Sequence, residues 1–232
     1  MVTDEIERND LETLRAAESY QRWVVECFAG VLRGRVVQVG AGVGHFTRWF
    51  AEYAEHVVAL ESDPAMCAAL EDLQLGNVEV VRSGVEHYAL AGNARFDVAV
   101  LIDVLQLFED DVACIRASGR LLRIDGHLCA LAPAHPALHG SLDDRYGHHR
   151  RYTKQRMVKL FQAAGLAIEE LRYFNALGAL GWLGASRLAR RPRLDPALVW
   201  LSERITVPAG RLLERVQAPP FGQSVLAIGR QR

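Results

Sequence analysis

The sequence predicts an α/β architecture, a mostly parallel sheet with helices packed on both of its faces. Three observations carry that reading. Short β-branched or continuously apolar runs alternate with stretches in which apolar residues recur at helical spacing. The first such run, at 35–39, breaks into a turn with glycine at positions 40, 42 and 44 before a helical pattern resumes. The next run closes on an acid, Glu61.

Length and composition bound what such a fold can be. With 232 residues, 50% of them hydrophobic, the chain can bury one sizeable core, and a single domain over 1–232 is expected. A net charge of −1 gives no global attraction to nucleic acid or to an anionic membrane, so nucleic acid is not an expected partner. Cys27, Cys67, Cys114 and Cys129 lie far apart and show neither a zinc spacing nor a disulfide framework. They read as packing thiols in a reducing cytoplasm. Asp4, Glu5 and Glu7, with no apolar stretch behind them, argue against a signal peptide.

In chain order, residues 1–10 read as a polar lead-in and 11–32 as one or two amphipathic helices broken near Gly30. Tyr20 and Trp23, three apart, share a helix face; packing over the sheet is the default for such a pair, and contact of Tyr20 with a cofactor is the alternative. Strands are expected at 35–39, 56–60, 78–82, 96–103, 127–132 and 167–174, with a last one from Ser224 folding back beside the sixth. Helices are expected at 46–53, from Pro64 to about Leu73, at 110–122 and at 154–164. Ser62-Asp63-Pro64 supplies a cap and a first-turn proline, Thr153 caps the last of these helices and Gly165 stops it. Asp125-Gly126 reads as a turn. The run at 96–103 is nearly continuously apolar, as expected of a central strand buried on both faces, and it ends on Asp103. Between the sixth and last strands, 176–217 changes to helix rich in Leu, Ala, Gly and Arg, with Gly178, Gly181 and Gly184 closely spaced and Arg187, Arg190, Arg191 and Arg193 clustered. The organisation is therefore N-terminal helices (1–34), a core (35–175), a helical insertion or cap (176–220) and a final strand (221–232).

The glycine turn carries the first chemical signal. Bare main chain there lets a bound group approach, some turn positions require positive φ, and the helix N-terminus beyond favours negative charge. Nicotinamide, flavin and S-adenosylmethionine (SAM) sites all use such a turn. Glu61, about twenty residues past Gly40, stands where a dinucleotide-type fold places an acid on ribose hydroxyls. A nicotinamide dehydrogenase of the short-chain type would want Tyr followed four residues later by Lys. Tyr152 with Arg156 fails that test, because Arg cannot lower the tyrosine pKa and pass its proton as Lys does.

The ordered pieces Val-Gly-Ala-Gly-Val-Gly at 39–44, Val-Val-Ala-Leu-Glu at 57–61 and Phe-Asp-Val-Ala-Val-Leu-Ile-Asp-Val-Leu at 96–105 resemble class I SAM-dependent methyltransferases, in particular the bacterial small-molecule group of type 11/12. The likeness covers about 35–175, with a last strand near 224–229. It implies a Rossmann-like, seven-stranded sheet whose last strand is antiparallel, and SAM as cofactor. It also implies that Gly40, Ala41, Gly42 and Gly44 border the amino-acid portion of SAM, that Glu61 with Ser62 holds the ribose, that Gly84 and Val85 meet adenine, and that Asp103 and Val104 face cofactor and substrate. Two stretches depart from the family: Gln38 stands where an acid is usual, and Gln106-Leu107 where Glu-His is frequent.

On the substrate side, the segment 135–152 follows a strand's carboxyl end and should overhang the site. Its Gly-His-x-Arg-Arg-Tyr motif resembles a segment of one branch of those methyltransferases. His148 or His139 paired with Asp143 is the expected base, and Tyr146, Arg150, Arg151 and Tyr152 are the expected substrate contacts. A solvated, self-paired lid is the bland reading of the same charges. No metal site is expected, since no tight ligand spacing occurs. The reading is a methyltransferase acting at oxygen or nitrogen of a small, natural-product, sugar or lipid-linked acceptor; a SAM-binding scaffold without catalysis and an NAD(P)-dependent oxidoreductase are the alternatives. The apolar run within the insertion is too short to cross a bilayer; the insertion could lie on a membrane, grip a lipid-linked acceptor or cap the site, with a plain packing or homodimer-forming hairpin as the default.

Overall fold

The computed structural model describes residues 13–92, 95–189 and 195–232. Leu11, the acidic residues near the N-terminus and Arg190, Arg191 and Arg193 lie outside the described residues. The elements are α1 (Glu18–Phe28), β1 (Arg35–Val39), α2 (Thr47–Tyr53), β2 (His56–Glu61), α3 (Pro64–Glu71), β3 (Val78–Arg82), α4 (Val85–Leu90), β4 (Phe96–Ile102), α5 (Asp111–Arg120), β5 (Leu122–Pro133), α6 (Ser141–Arg145), α7 (Lys154–Ala163), β6 (Leu166–Phe174), α8 (Ala176–Trp182), α9 (Pro196–Leu201), α10 (Val207–Val216) and β7 (Ser224–Gln231).

Seven strands form one sheet in the order β3-β2-β1-β4-β5-β7-β6. The pairs from β3 through β5 are parallel, and β7 runs antiparallel to both β5 and β6. Chain order reverses between β1 and β4, so the switch point, where ligands bind in such sheets, lies over their carboxyl ends. The inner strands β1, β2, β4 and β7 and the second half of β5 are buried on both faces, and side-chain alternation sorts them into two cores. Val37, Val39, Ala99 and Leu101 join one with Phe161 and Tyr152. Val36, Val98 and Val100 join the other with Trp23, Phe50 and Phe174. Trp23 lies 4.3 Å from Phe174 between ring centroids, so α1 packs on the sheet through the expected face.

Asp63 caps α3 by accepting from the amides of Ala65 and Met66, and Thr153 caps α7 through the Arg156 amide. Asp125-Gly126 departs from the reading as a turn between elements. It is a kink inside β5, with Asp125 at φ 65° and the pairing with β4 shifting register between Phe96 and Val98. Its cause is three extra residues on β5, which advances five positions from Leu122 to His127 while β4 advances two from Phe96 to Val98, an irregularity of the bulge kind. A Cβ on Gly126 would stand 2.9 Å from the Arg123 carbonyl oxygen and 3.1 Å from those of Phe96 and Asp97, all main chain that cannot yield cheaply. Gly126→Ala should therefore cost about 2 kcal/mol and lower Tm by roughly 4–8 °C. Calorimetric scanning checks this; an unchanged Tm would return the position to an ordinary turn.

Candidate active site

The glycine turn is held by its neighbours more than by itself. Gly40, Gly42 and Gly44 have φ of 65°, 57° and 86°, a region L side chains avoid. A Cβ on Gly40 would run into the Val104 side chain and one on Gly44 into Leu70 and Leu73, so these two glycines are required by packing as well. Above Gly42 there is open space. The Ala41 amide donates to the Leu60 carbonyl at 3.0 Å, which ties the turn to β2.

Glu61 is almost fully buried and turned towards the turn. Its Oε2 accepts from the Gly42 amide at 2.8 Å, and its Oε1 from the amides of Ser62 and Asp63 at 2.7 and 2.9 Å. A carboxylate offers about four lone-pair directions, so Oε2 keeps one for a hydroxyl. The Ser83 amide donates to the Glu61 carbonyl, which sets Gly84 and the start of α4 beside it. Val85 buries its side chain in the core, leaving only its main chain for a ligand. Gln38 is buried and accepts from the Thr47 hydroxyl at 2.7 Å, so the residue standing for the usual acid anchors the first residue of α2.

Three non-glycine residues take left-handed conformations at the carboxyl edge: Asp103 after β4, His135 after β5 and Asn175 after β6, with φ of 49°, 59° and 59°. Backbone strain of this kind gathers at binding sites. Asp103 is open to solvent at the switch point yet surrounded by enough protein that lost hydration pushes its carboxyl up to about 6, against the opposing pull of His148 and Arg151. Tyr20 reaches the same place. Burial and then the Asp103 charge raise its phenol well above the usual range, so α1 brings Tyr20 to the site as well as packing it over Phe174.

Across from Asp103 a buried carboxylate organises the expected base. Asp143, with no exposed surface, accepts at Oδ1 from His148 Nδ1 and Arg151 Nε, both at 2.8 Å, and at Oδ2 from the Gly140 amide at 3.0 Å and Trp182 Nε1 at 3.3 Å. Burial pushes its pKa up, but these donors outweigh it and hold the carboxyl at about 2. Asp143 is thus an acceptor only, so His148 Nδ1 carries the hydrogen of that bond and Nε2 is the ring nitrogen left to face an acceptor group. The Tyr146 ring lies 6.1 Å from that of His148. Trp182, which the sequence reading did not single out, also stacks under the Arg151 guanidinium at 4.8 Å.

Several expected positions are corrected. His139 does not pair with Asp143; its ring approaches the His148 carbonyl and the Asp144 carboxylate, at 3.4 and 3.7 Å, so it steadies main chain. Tyr152 is fully buried in the core and bridges to Ala134 as a strand residue, out of reach of any substrate. Arg150 turns to the Glu109 carbonyl at 2.7 Å and to buried Asp111 at 3.2 Å, which Arg156 also engages. Arg151 is buried against Asp143 and the Ala134 carbonyl, so it positions the base and does not present a free fork.

Comparison with known proteins falls in line with this geometry. Residues 37–130 match a family described as a methyltransferase domain. A ubiquinone biosynthesis O-methyltransferase of Serratia proteamaculans is 28% identical over 109 residues, 46% of this chain and 45% of that protein. The chain spans less than half the length of the curated relatives it matches. A SAM-dependent methyltransferase from Archaeoglobus fulgidus superposes with a TM-score of 0.60 at 16% identity, covering 94% of both chains. An N-methyltransferase from Bradyrhizobium japonicum, solved with S-adenosyl-L-homocysteine, gives 0.54 at 13% identity over 85% of this chain and 78% of that one.

Asp143→Ala should strand the buried Arg151 charge and cost about 3–5 kcal/mol. The sign with pH follows from the lowered carboxyl. Its contribution is complete above the unfolded value near 4 and is lost as pH falls towards about 2. Acid titration of stability should lose that part of its slope in the variant; identical acid limbs would sink the assignment.

Proposed function

We propose, of a chain that carries the class I SAM-dependent methyltransferase fold with its methyltransferase domain at residues 37–130, that it moves the SAM methyl group to a hydroxyl or amine of a small-molecule acceptor, with His148 as the base. The observation that carries the reading is the His148–Asp143 pair set across from Asp103 at the switch point. The turn suits the cofactor: open space above Gly42 and a carboxylate with a remaining lone pair fit an amino-acid portion and a ribose.

When bound, SAM supplies an electrophilic methyl on a sulfonium. The chain's residues then have separate tasks. Glu61 would hold the sugar, the main chain at Gly42 would border the amino-acid portion, and Gly84 and Val85 would offer main chain to adenine. Asp103, ionised, favours the positively charged end of the cofactor. Methyl transfer is an in-line displacement, so fixing donor and acceptor in one geometry supplies much of the rate. His148 Nε2 takes the acceptor's proton, which a hydroxyl needs more than an amine does. Asp143 holds the ring in the tautomer that can do so.

Two outcomes test this. Titration calorimetry should show SAM binding that weakens as pH falls through about 6, where Asp103 loses its charge. Asp103→Asn should flatten that dependence, and no binding at millimolar SAM would remove the reading. In a product screen across hydroxyl and amine acceptors, His148→Ala should lower kcat by about 10²–10⁴ with SAM affinity unchanged; equal turnover would return His148 to a structural role.

A further inference from the structure

The cap carries an inverted helix. α9, the π-helical turns Ser202–Thr206 and α10 form one continuous rod over 196–216. Its inner face is Val207, Gly210 against the Trp23 ring, and the acids Glu203 and Glu214. Glu203 accepts from the amides of Ser19 and Tyr20, and Glu214 from that of Ala176, so both acids face the protein and cap the N-terminal turns of α1 and α8. Every exposed residue of the rod is apolar or arginine. Leu201, Ile205, Leu212 and Val216 form one outward stripe at helical spacing, and Arg204 and Arg215, eleven apart and so nearly in line, flank it. Trp200, also exposed, has the Arg204 guanidinium over its ring at 5.5 Å. A surface helix of a protein bathed only in water shows the reverse polarity.

We infer that this outer face docks on an anionic lipid bilayer. The stripe would enter the acyl boundary, the tryptophan would sit at headgroup level and the arginines would meet lipid phosphates. Charge decides between this and a second copy of the chain. A two-fold contact sets the same patch against itself, which would bring arginines against arginines with no exposed acid on the rod to pair them. No helix among the described residues is long and apolar enough to cross a membrane, so the contact is one of lying on the surface. It also rests on the proposed methyl transfer in one respect: docking would present the site to acceptors that partition into lipid, since Trp182 of α8 and Tyr20 of α1 connect the cap to both sides of the site.

Vesicle sedimentation of the full chain, without SAM, tests the docking apart from the chemistry. The protein should pellet with phosphatidylcholine vesicles containing about a third phosphatidylglycerol and stay in the supernatant with phosphatidylcholine alone. Arg204→Gln with Arg215→Gln should weaken partitioning by about twenty-five-fold, at roughly fivefold per arginine near the surface. Leu201→Gln with Ile205→Gln should abolish it, both variants retaining wild-type circular dichroism and SAM binding. Tryptophan emission should shift to the blue on anionic vesicles and lose that shift in Trp200→Phe. Equal recovery in the supernatant with both vesicles would overturn the inference, and so would a dimer in light scattering that Leu201→Gln dissolves without any vesicle binding. Glu61→Ala, built to lose SAM, should still pellet; SAM binding absent from a wild-type protein that pellets would sink the methyl-transfer reading and leave the docking standing.

Discussion

A single carboxylate with no contact to solvent, Asp143, holds the candidate site together. It takes a donor from α6's leading turn, one from the imidazole, one from the guanidinium of Arg151 and one from an indole of the cap. Those donors come from separate stretches of chain, so the loop over 135–152 and the cap are fixed by one electrostatic centre. Burying a lone carboxylate would be prohibitive, and Arg151 makes it tolerable by matching its charge at 2.8 Å. The pairing has a chemical consequence as well. Because Arg151 already balances Asp143, the imidazole is oriented by a full-strength acceptor without the buried group carrying net negative charge.

The sheet supplies the other half of the arrangement. Its switch point puts Asp103 opposite that centre, and the left-handed turns after β4, β5 and β6 redirect three consecutive carboxyl ends at the same edge. Asn175 shows how such a conformation is sustained. It is buried, caps α8 by accepting from the Gly178 amide, and donates to Gln223 at 2.8 Å. At Asn175 the unusual backbone of a strand end that frames the site is thus over-determined by side-chain hydrogen bonds.

Much of this was legible in the chain, for reasons that separate by residue. The glycine turn and Glu61 could be read because their signal is local: type, spacing and the run before them. What spacing could not show is that Glu61 first serves the turn, accepting from Gly42 before any ligand arrives. The Arg150-Arg151-Tyr152 segment was misread as a uniform cluster of ligands. It is extended, and Tyr152 bridges Ala134, so alternate residues face opposite ways. Arg150 and Tyr152 go towards Asp111, Arg151 towards Asp143. Applying the strand period to that motif would have divided it. Trp182 had no such remedy, since its partner lies 39 residues away and only tertiary packing joins them. The β5 kink was mistaken for a turn because Asp-Gly has the same preference for positive φ in either setting.

The acids of the cap explain why its polarity is inverted without its packing being lost. A helix lying on a core ordinarily buries apolar surface and shows its charges to water. Here Glu203 and Glu214 are drawn inward because two other helices present unsatisfied amides there, at Ser19, Tyr20 and Ala176. Those bonds place α1, and with it Tyr20 beside Asp103, and they place α8, and with it Trp182 on Asp143. The cap therefore touches both carboxylates of the site through the helices it caps. Its inner face is committed to electrostatic joinery, and the hydrophobic residues that would otherwise have held it down are left on the outside, where Arg204 and Arg215 are the exposed charges of the rod.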